Sequence, residues 1–99
     1  NVAVGSYALD ANTTASNNVA IGYYALTSNV TGFNNVAVGV NALYTNTASN
    51  NTAIGRDALK LSTADNCVAV GSLALAANST GAANVAVGYG ALNDNTTGN

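Results

Sequence analysis

Five asparagines stand two residues before a threonine: Asn12, Asn29, Asn50, Asn78 and Asn95. Asn-x-Thr is the acceptor pattern for an N-linked glycan, which requires the side-chain amide at the surface. All but Asn50 fall at one place in a repeat, so exposed acceptors there would coat the chain with sugar at regular intervals. A second group with chemical use is aromatic: Tyr7, Tyr23, Tyr24 and Tyr89, with Tyr44 and Phe33 nearby in the pattern. A tyrosine ring is apolar with a polar tip, suited to stacking on sugars, gripping a protein partner, or packing between neighbouring coils or chains. Arg56, Asp57 and Lys60 gather three of the few charges in one repeat. They read as a receptor-contact band, as ion pairs that fix the register of an oligomer, or as a solvated surface variation, since exposed ion pairs contribute only about 0 to 1 kcal/mol.

The inventory for catalysis is almost empty. The chain has no His, Glu, Trp or Met, and its four aspartates, Asp10, Asp57, Asp65 and Asp94, occupy different places in their repeats. Nucleophile triads, zinc sites and acid–base pairs lack their parts. A calcium-binding roll would need an aspartate and a Gly-rich nonapeptide in every turn. The expectation is a non-enzyme with no catalytic residue, metal or cofactor. The single cysteine, Cys67, permits no internal disulfide and stands where the other repeats carry Asn, as a small residue accepted in that slot. Thr13, Thr31, Thr47, Thr63 and Thr80 lie in turns and make no two-wide strand grid of the kind that would bind ice.

These residues are carried on one repeated unit. The segment Asn-Val-Ala-Val/Ile-Gly recurs six times, with Thr52 for Val in the fourth copy and Cys67 for Asn in the fifth, and its glycine falls at Gly5, Gly22, Gly39, Gly55, Gly71 and Gly88, a period of 17, 17, 16, 16 and 17 residues. Residues 1–99 therefore form a single array of six coils in which each coil touches its neighbours. Large β-branched residues alternate with alanine in each segment, the period of a strand. The glycine marks a bend, Ala-Leu belongs to a second short strand, and an Asn/Thr/Ser/Gly stretch makes a polar turn. No repeat offers helical spacing of apolar residues. The reading is an all-β parallel β-roll or β-solenoid with two short sheets, about 29 Å long at strand spacing.

The Val/Ile pair and the Leu are expected inside each coil. Alanine, present six times out of six on the other strand face, is expected to pack against another copy, making the chain a subunit of a homo-oligomer. The one-residue change in period falls in the turns, since a strand slipped by one residue would reverse its faces. The Asn pairs at coil junctions are expected to form amide ladders.

Composition narrows the partners. Charged residues are 6% and the net charge is -2, far from the basic footprint needed for nucleic acid. No apolar run reaches the length of a membrane span, so insertion of this segment into a bilayer is not expected. Thr97-Gly98-Asn99 set before Asn1-Val2 would recreate the junction around Gly32, which suggests a window of a longer fibre and permits end-to-end stacking of copies.

Taken together, Asn-Val-Ala-Val/Ile-Gly, the variable pair, Ala-Leu and the Asn/Thr/Gly turn resemble the head repeats of trimeric autotransporter adhesins of the YadA type, and related repeats in phage and viral fibres. The resemblance covers all 99 residues. It implies a left-handed roll in a side-by-side or intertwined homotrimer, on an extracellular, cell-surface or virion-borne fibre. The function it implies is structural and adhesive, mediating attachment to a host surface protein or glycan. A viral or phage tail-fibre shaft or tip, and a self-assembling, glycosylated extracellular filament, are the alternatives.

Overall fold

Each Asn-Val-Ala-Val/Ile-Gly segment forms one three-residue strand: β1 Val2–Val4, β2 Val19–Ile21, β3 Val36–Val38, β4 Thr52–Ile54, β5 Val68–Val70 and β6 Val85–Val87. In the computed structural model, which describes residues 1–99, these strands pair in parallel and in chain order in one six-stranded sheet. Alanine lies opposite alanine at every step, from Ala3 and Ala20 to Ala69 and Ala86. Parallel strands in unbroken chain order, each reached by a full circuit of the chain, make a β-solenoid. Its long axis is 30 Å, as the strand spacing predicts, and its cross-section is 20 by 15 Å. Registers hold across the shorter repeats as well, with Val36 opposite Thr52 and Thr52 opposite Val68.

The faces of the strands are reversed from the sequence expectation. Ala20 and Ala53 are 0% exposed, whereas Ile21 and Ile54 are 40% and 41% exposed. The alanines point into the coil and the Val/Ile pairs point out. The reason is the width of the coil: a leucine from the opposite wall already fills the interior, leaving room for a methyl group but not an isopropyl. Leu26, Leu43, Leu59 and Leu75 are fully buried and join Ala20, Ala37, Ala53, Ala69 and the Ala25, Ala42, Ala58 and Ala74 column in one core. The alanine face is therefore covered by the chain's own leucines and needs no second copy.

The segment after the glycine is no second strand. Its residues turn through positive φ twice, first at Tyr7, Tyr24, Asn41, Asp57, Leu73 and Gly90, then at every Leu of Ala-Leu, with φ from 49° to 53°. Leucine rarely adopts this left-handed conformation. Here it is held by a bond to the next coil: the N–H groups of Leu9, Leu26, Leu43, Leu59 and Leu75 donate to Ala25, Ala42, Ala58, Ala74 and Ala91 carbonyls at 2.9–3.1 Å. Each such bond contributes about 0.5–1.5 kcal/mol and each buried leucine about 1.5–3 kcal/mol, enough to offset a backbone cost of order 1–2 kcal/mol. Gly39 shows why the preceding position is glycine. Its φ is +131°, and a Cβ would sit 2.7 Å from the Gly55 carbonyl of the coil above.

Two inward columns of asparagine close the polar turn. At the start of each coil, Asn1, Asn18, Asn35 and Asn51 accept the backbone N–H of the residue one coil on, at 2.8–2.9 Å, and donate Nδ2 to a carbonyl across their own turn at 2.8 Å. From the other side, Asn29 bridges both polar groups of Gly32, and Asn78 donates to Gly81. In the 16-residue coils the bridge is one residue shorter, Asn46 to Ala48 and Ser62 to Ala64. The missing residue is thus absorbed inside the turn. Coil one carries Ala15 where coil two has Gly32, and there Asn12 Oδ1 is shielded from solvent without a partner.

Candidate interaction surface

With alanine inside, the outer face of the sheet carries two side chains from each of six strands, every one β-branched and all but Thr52 apolar. Val2, Val4, Ile21, Ile54, Val85 and Val87 are exposed, and the remainder are half-buried only by their neighbours in the sheet. Strand pleating sets these side chains in two straight files along the rod.

A second surface feature is a ridge built by the column two residues past each glycine. Tyr24 N–H donates to the Ser6 carbonyl at 3.1 Å and Asn41 N–H to that of Tyr23 at 3.0 Å, so residues of this column sit one above another. The Tyr7 and Tyr24 rings accordingly stack, with centroids 4.8 Å apart and planes 9° apart, at the spacing of the strands themselves. Tyr23 meets Tyr24 edge-on at 4.3 Å and Tyr7 at 6.1 Å, and Tyr44 closes on Tyr24 at 5.8 Å. The adjacent Tyr23 phenol, then reduced solvent contact and the nearby phenols of Tyr7 and Tyr44, raise the pKa of Tyr24 above that of an ordinary tyrosine. Tyr89 stands apart in the last coil and is 80% exposed.

The same column continues from tyrosine into polar residues. Asn41 Nδ2 donates to Asp57 Oδ1 at 3.0 Å. Asp57 is also approached by Lys60 Nζ at 3.4 Å and Arg56 Nε at 3.6 Å. Arg56, Asp57 and Lys60 are therefore one cluster, with the carboxylate nearly covered and the cations at the rim. The pairs lie within one chain, so they explain the placement of Asp57 without recourse to a partner.

The five acceptor asparagines part company. Asn29 and Asn78 are fully buried, and the Nδ2 atoms to which a glycan would attach donate to the Gly32 and Gly81 carbonyls at 2.9 and 2.8 Å. A sugar at either nitrogen would have to occupy the core, so these two are turn clamps and not glycosylation sites. Asn12 and Asn95 stand in the same column, half-buried, with Asn95 Nδ2 bonded to the Gly98 carbonyl at 2.9 Å. Only Asn50 is exposed. The recurrence of Asn three residues past Leu, at Asn12, Asn29, Asn46, Asn78 and Asn95, is the sequence signal of a column with a fixed structural duty. The expected side-chain amide ladder has one rung on the outer asparagines, between Asn34 and Asn50 at 3.1 Å, and one on the inner ones, from Asn95 Nδ2 to Asn78 Oδ1 at 3.3 Å; apart from a 3.3 Å bond from Asn51 to Asn46, the other inner asparagines bond chiefly to backbone.

Cys67 is buried in the first asparagine column, its Sγ 3.3 Å from the Gly81 carbonyl that an asparagine amide would reach. No three His, Cys, Asp or Glu side chains approach closely enough to hold a metal ion. Neither a protein-family model nor a curated protein nor a solved structure matches this chain.

Proposed function

We propose that the chain is a structural and adhesive segment of an extracellular fibre, at a cell surface or on a virion, built from parallel copies that close on one another through the outer faces of β1–β6. The observation that carries this reading is the double file of β-branched side chains turned away from the chain's own core. Contiguous apolar surface on a polar rod marks an interaction site. A second copy fits it because its files have the same spacing over the same length, and a closed symmetric assembly leaves none of them in water. The resemblance to YadA-type head repeats supplies three as the number of copies and a left-handed winding. The tyrosine ridge and the Arg56–Asp57–Lys60 cluster are the surfaces on which attachment to a host protein or glycan would draw.

The test is the mass of the chain in solution by light scattering, alone and with Val38→Asp and Val70→Asp together. The expected result is three chain masses for the parent and one for the double variant. A parent chain that stays monomeric at micromolar concentration with its β-sheet spectrum intact overturns the reading.

A further inference from the structure

The tyrosine ridge has a chemistry independent of any partner. One-electron oxidants attack Met, Trp, His, Cys and Tyr side chains, and susceptibility follows exposure. This chain has no Met, Trp or His, and its one Cys is buried. The tyrosines are the oxidisable side chains that meet solvent, and four of the five form one chain of contacts on coils one to three, each ring centroid within 6.1 Å of that of Tyr24 or Tyr7. Tyr24 is the hub, touching Tyr7, Tyr23 and Tyr44. Tyr7 is about half exposed, free to swing on the time scale of surface side chains.

We propose that the ridge is an oxidative cross-linking site, at which a peroxidase-type oxidant using hydrogen peroxide joins Tyr7 to Tyr24 through a carbon–carbon bond. The oxidant takes one hydrogen atom from each phenol, leaving two phenoxyl radicals. These couple at ring carbons ortho to the oxygens, and the two ring hydrogens displaced by the new bond return to oxygen, restoring both phenols. One hydrogen peroxide is reduced to two waters for each bond formed, and the chain loses two hydrogen atoms. Tyr7 and Tyr24 hold equivalent places in consecutive coils, so the bond staples coil one to coil two. These 99 residues, with one buried cysteine, can form no internal disulfide to do this, and the dityrosine bond supplies the covalent link from a residue type already stacked at the strand spacing.

The experiment treats the full chain, dilute, with a haem peroxidase and hydrogen peroxide, and reads dityrosine fluorescence, intact mass and the linked peptides. The expected product has the mass of the parent chain or assembly less two hydrogens per chain. Its linked peptides join Tyr7 to Tyr24, and its thermal midpoint is raised. Tyr7→Phe and Tyr24→Phe, which keep the rings and remove the phenol, lose this product, while Tyr89→Phe retains it. Chains unfolded in denaturant before treatment lose the Tyr7–Tyr24 link. Products joined between chains through Tyr89, oxygen added to single rings without cross-linking, or an unchanged yield from Tyr24→Phe overturn the proposal.

Discussion

Asn51 Oδ1 accepts the backbone N–H of Cys67 at 2.8 Å, and the row of such bonds that begins at Asn1 ends there. The thiol of Cys67 replaces the amide nitrogen as a donor to Gly81 but brings no oxygen to meet the N–H of Asn84 above it. The seam between coils five and six is therefore one hydrogen bond short of the seams below it.

Cys67→Asn is expected to restore that bond and raise stability by about 0.5–1.5 kcal/mol. Denaturant unfolding of the two chains measures it, and hydrogen exchange at the Asn84 amide should slow in the variant. A variant less stable than the parent would mean that the pocket is shaped to sulfur and has no room for an amide.

The reversal of the strand faces can be tested with one pair of substitutions in β3. Ala37→Val forces two methyl groups into a filled interior and is expected to cost about 1–3 kcal/mol. Val36→Thr copies what Thr52 already does in the same outer file, and its effect should stay within about 1 kcal/mol. Were the valines inside, the ranking would invert, because the threonine hydroxyl would then be buried.

Alkaline pH acts on the ridge. The folded pKa of Tyr24 lies above its unfolded value, which for tyrosine is about 10. Below that value both states hold the proton and the stabilisation is complete. As pH rises further the unfolded chain ionises first, so stability falls until the folded phenol has also ionised. Thermal midpoints measured through this range should decline less steeply in Tyr24→Phe, and phenolate absorbance of the parent should show one tyrosine titrating late. Early ionisation of Tyr24 would contradict the packing around it.

The strands, their register and the rod length were legible in the sequence because a two-residue alternation and a fixed period encode them directly. Which strand face turns inward was not, since alternation is symmetric and the decision rests on the room left beside Leu26 and Leu43, a property of the closed coil. The second segment is hidden from the sequence for a related cause. Ala-Leu looks like a strand end, and only the hydrogen bond from each leucine to the coil above makes its positive φ affordable. Asparagine is mostly an exposed residue, so the pattern alone offers Asn29 and Asn78 as surface acceptors, although four sequons at one repeat position are a trace of the inward column. The tyrosine cluster was half visible: Tyr7 and Tyr24 share a repeat position, whereas Tyr44 reaches them from a different one.

The turn that closes with either Asn29–Gly32 or Asn46–Ala48 has a consequence for how such a chain can change over generations. Tandem repeats are copied unevenly, and a codon lost from a strand would turn its valines into the core and its alanines out. A codon lost from the turn shortens one side-chain bridge by a residue and leaves every strand above it where it was. The array can therefore drift in length at one joint while its straight files, and whatever they meet, stay aligned from end to end.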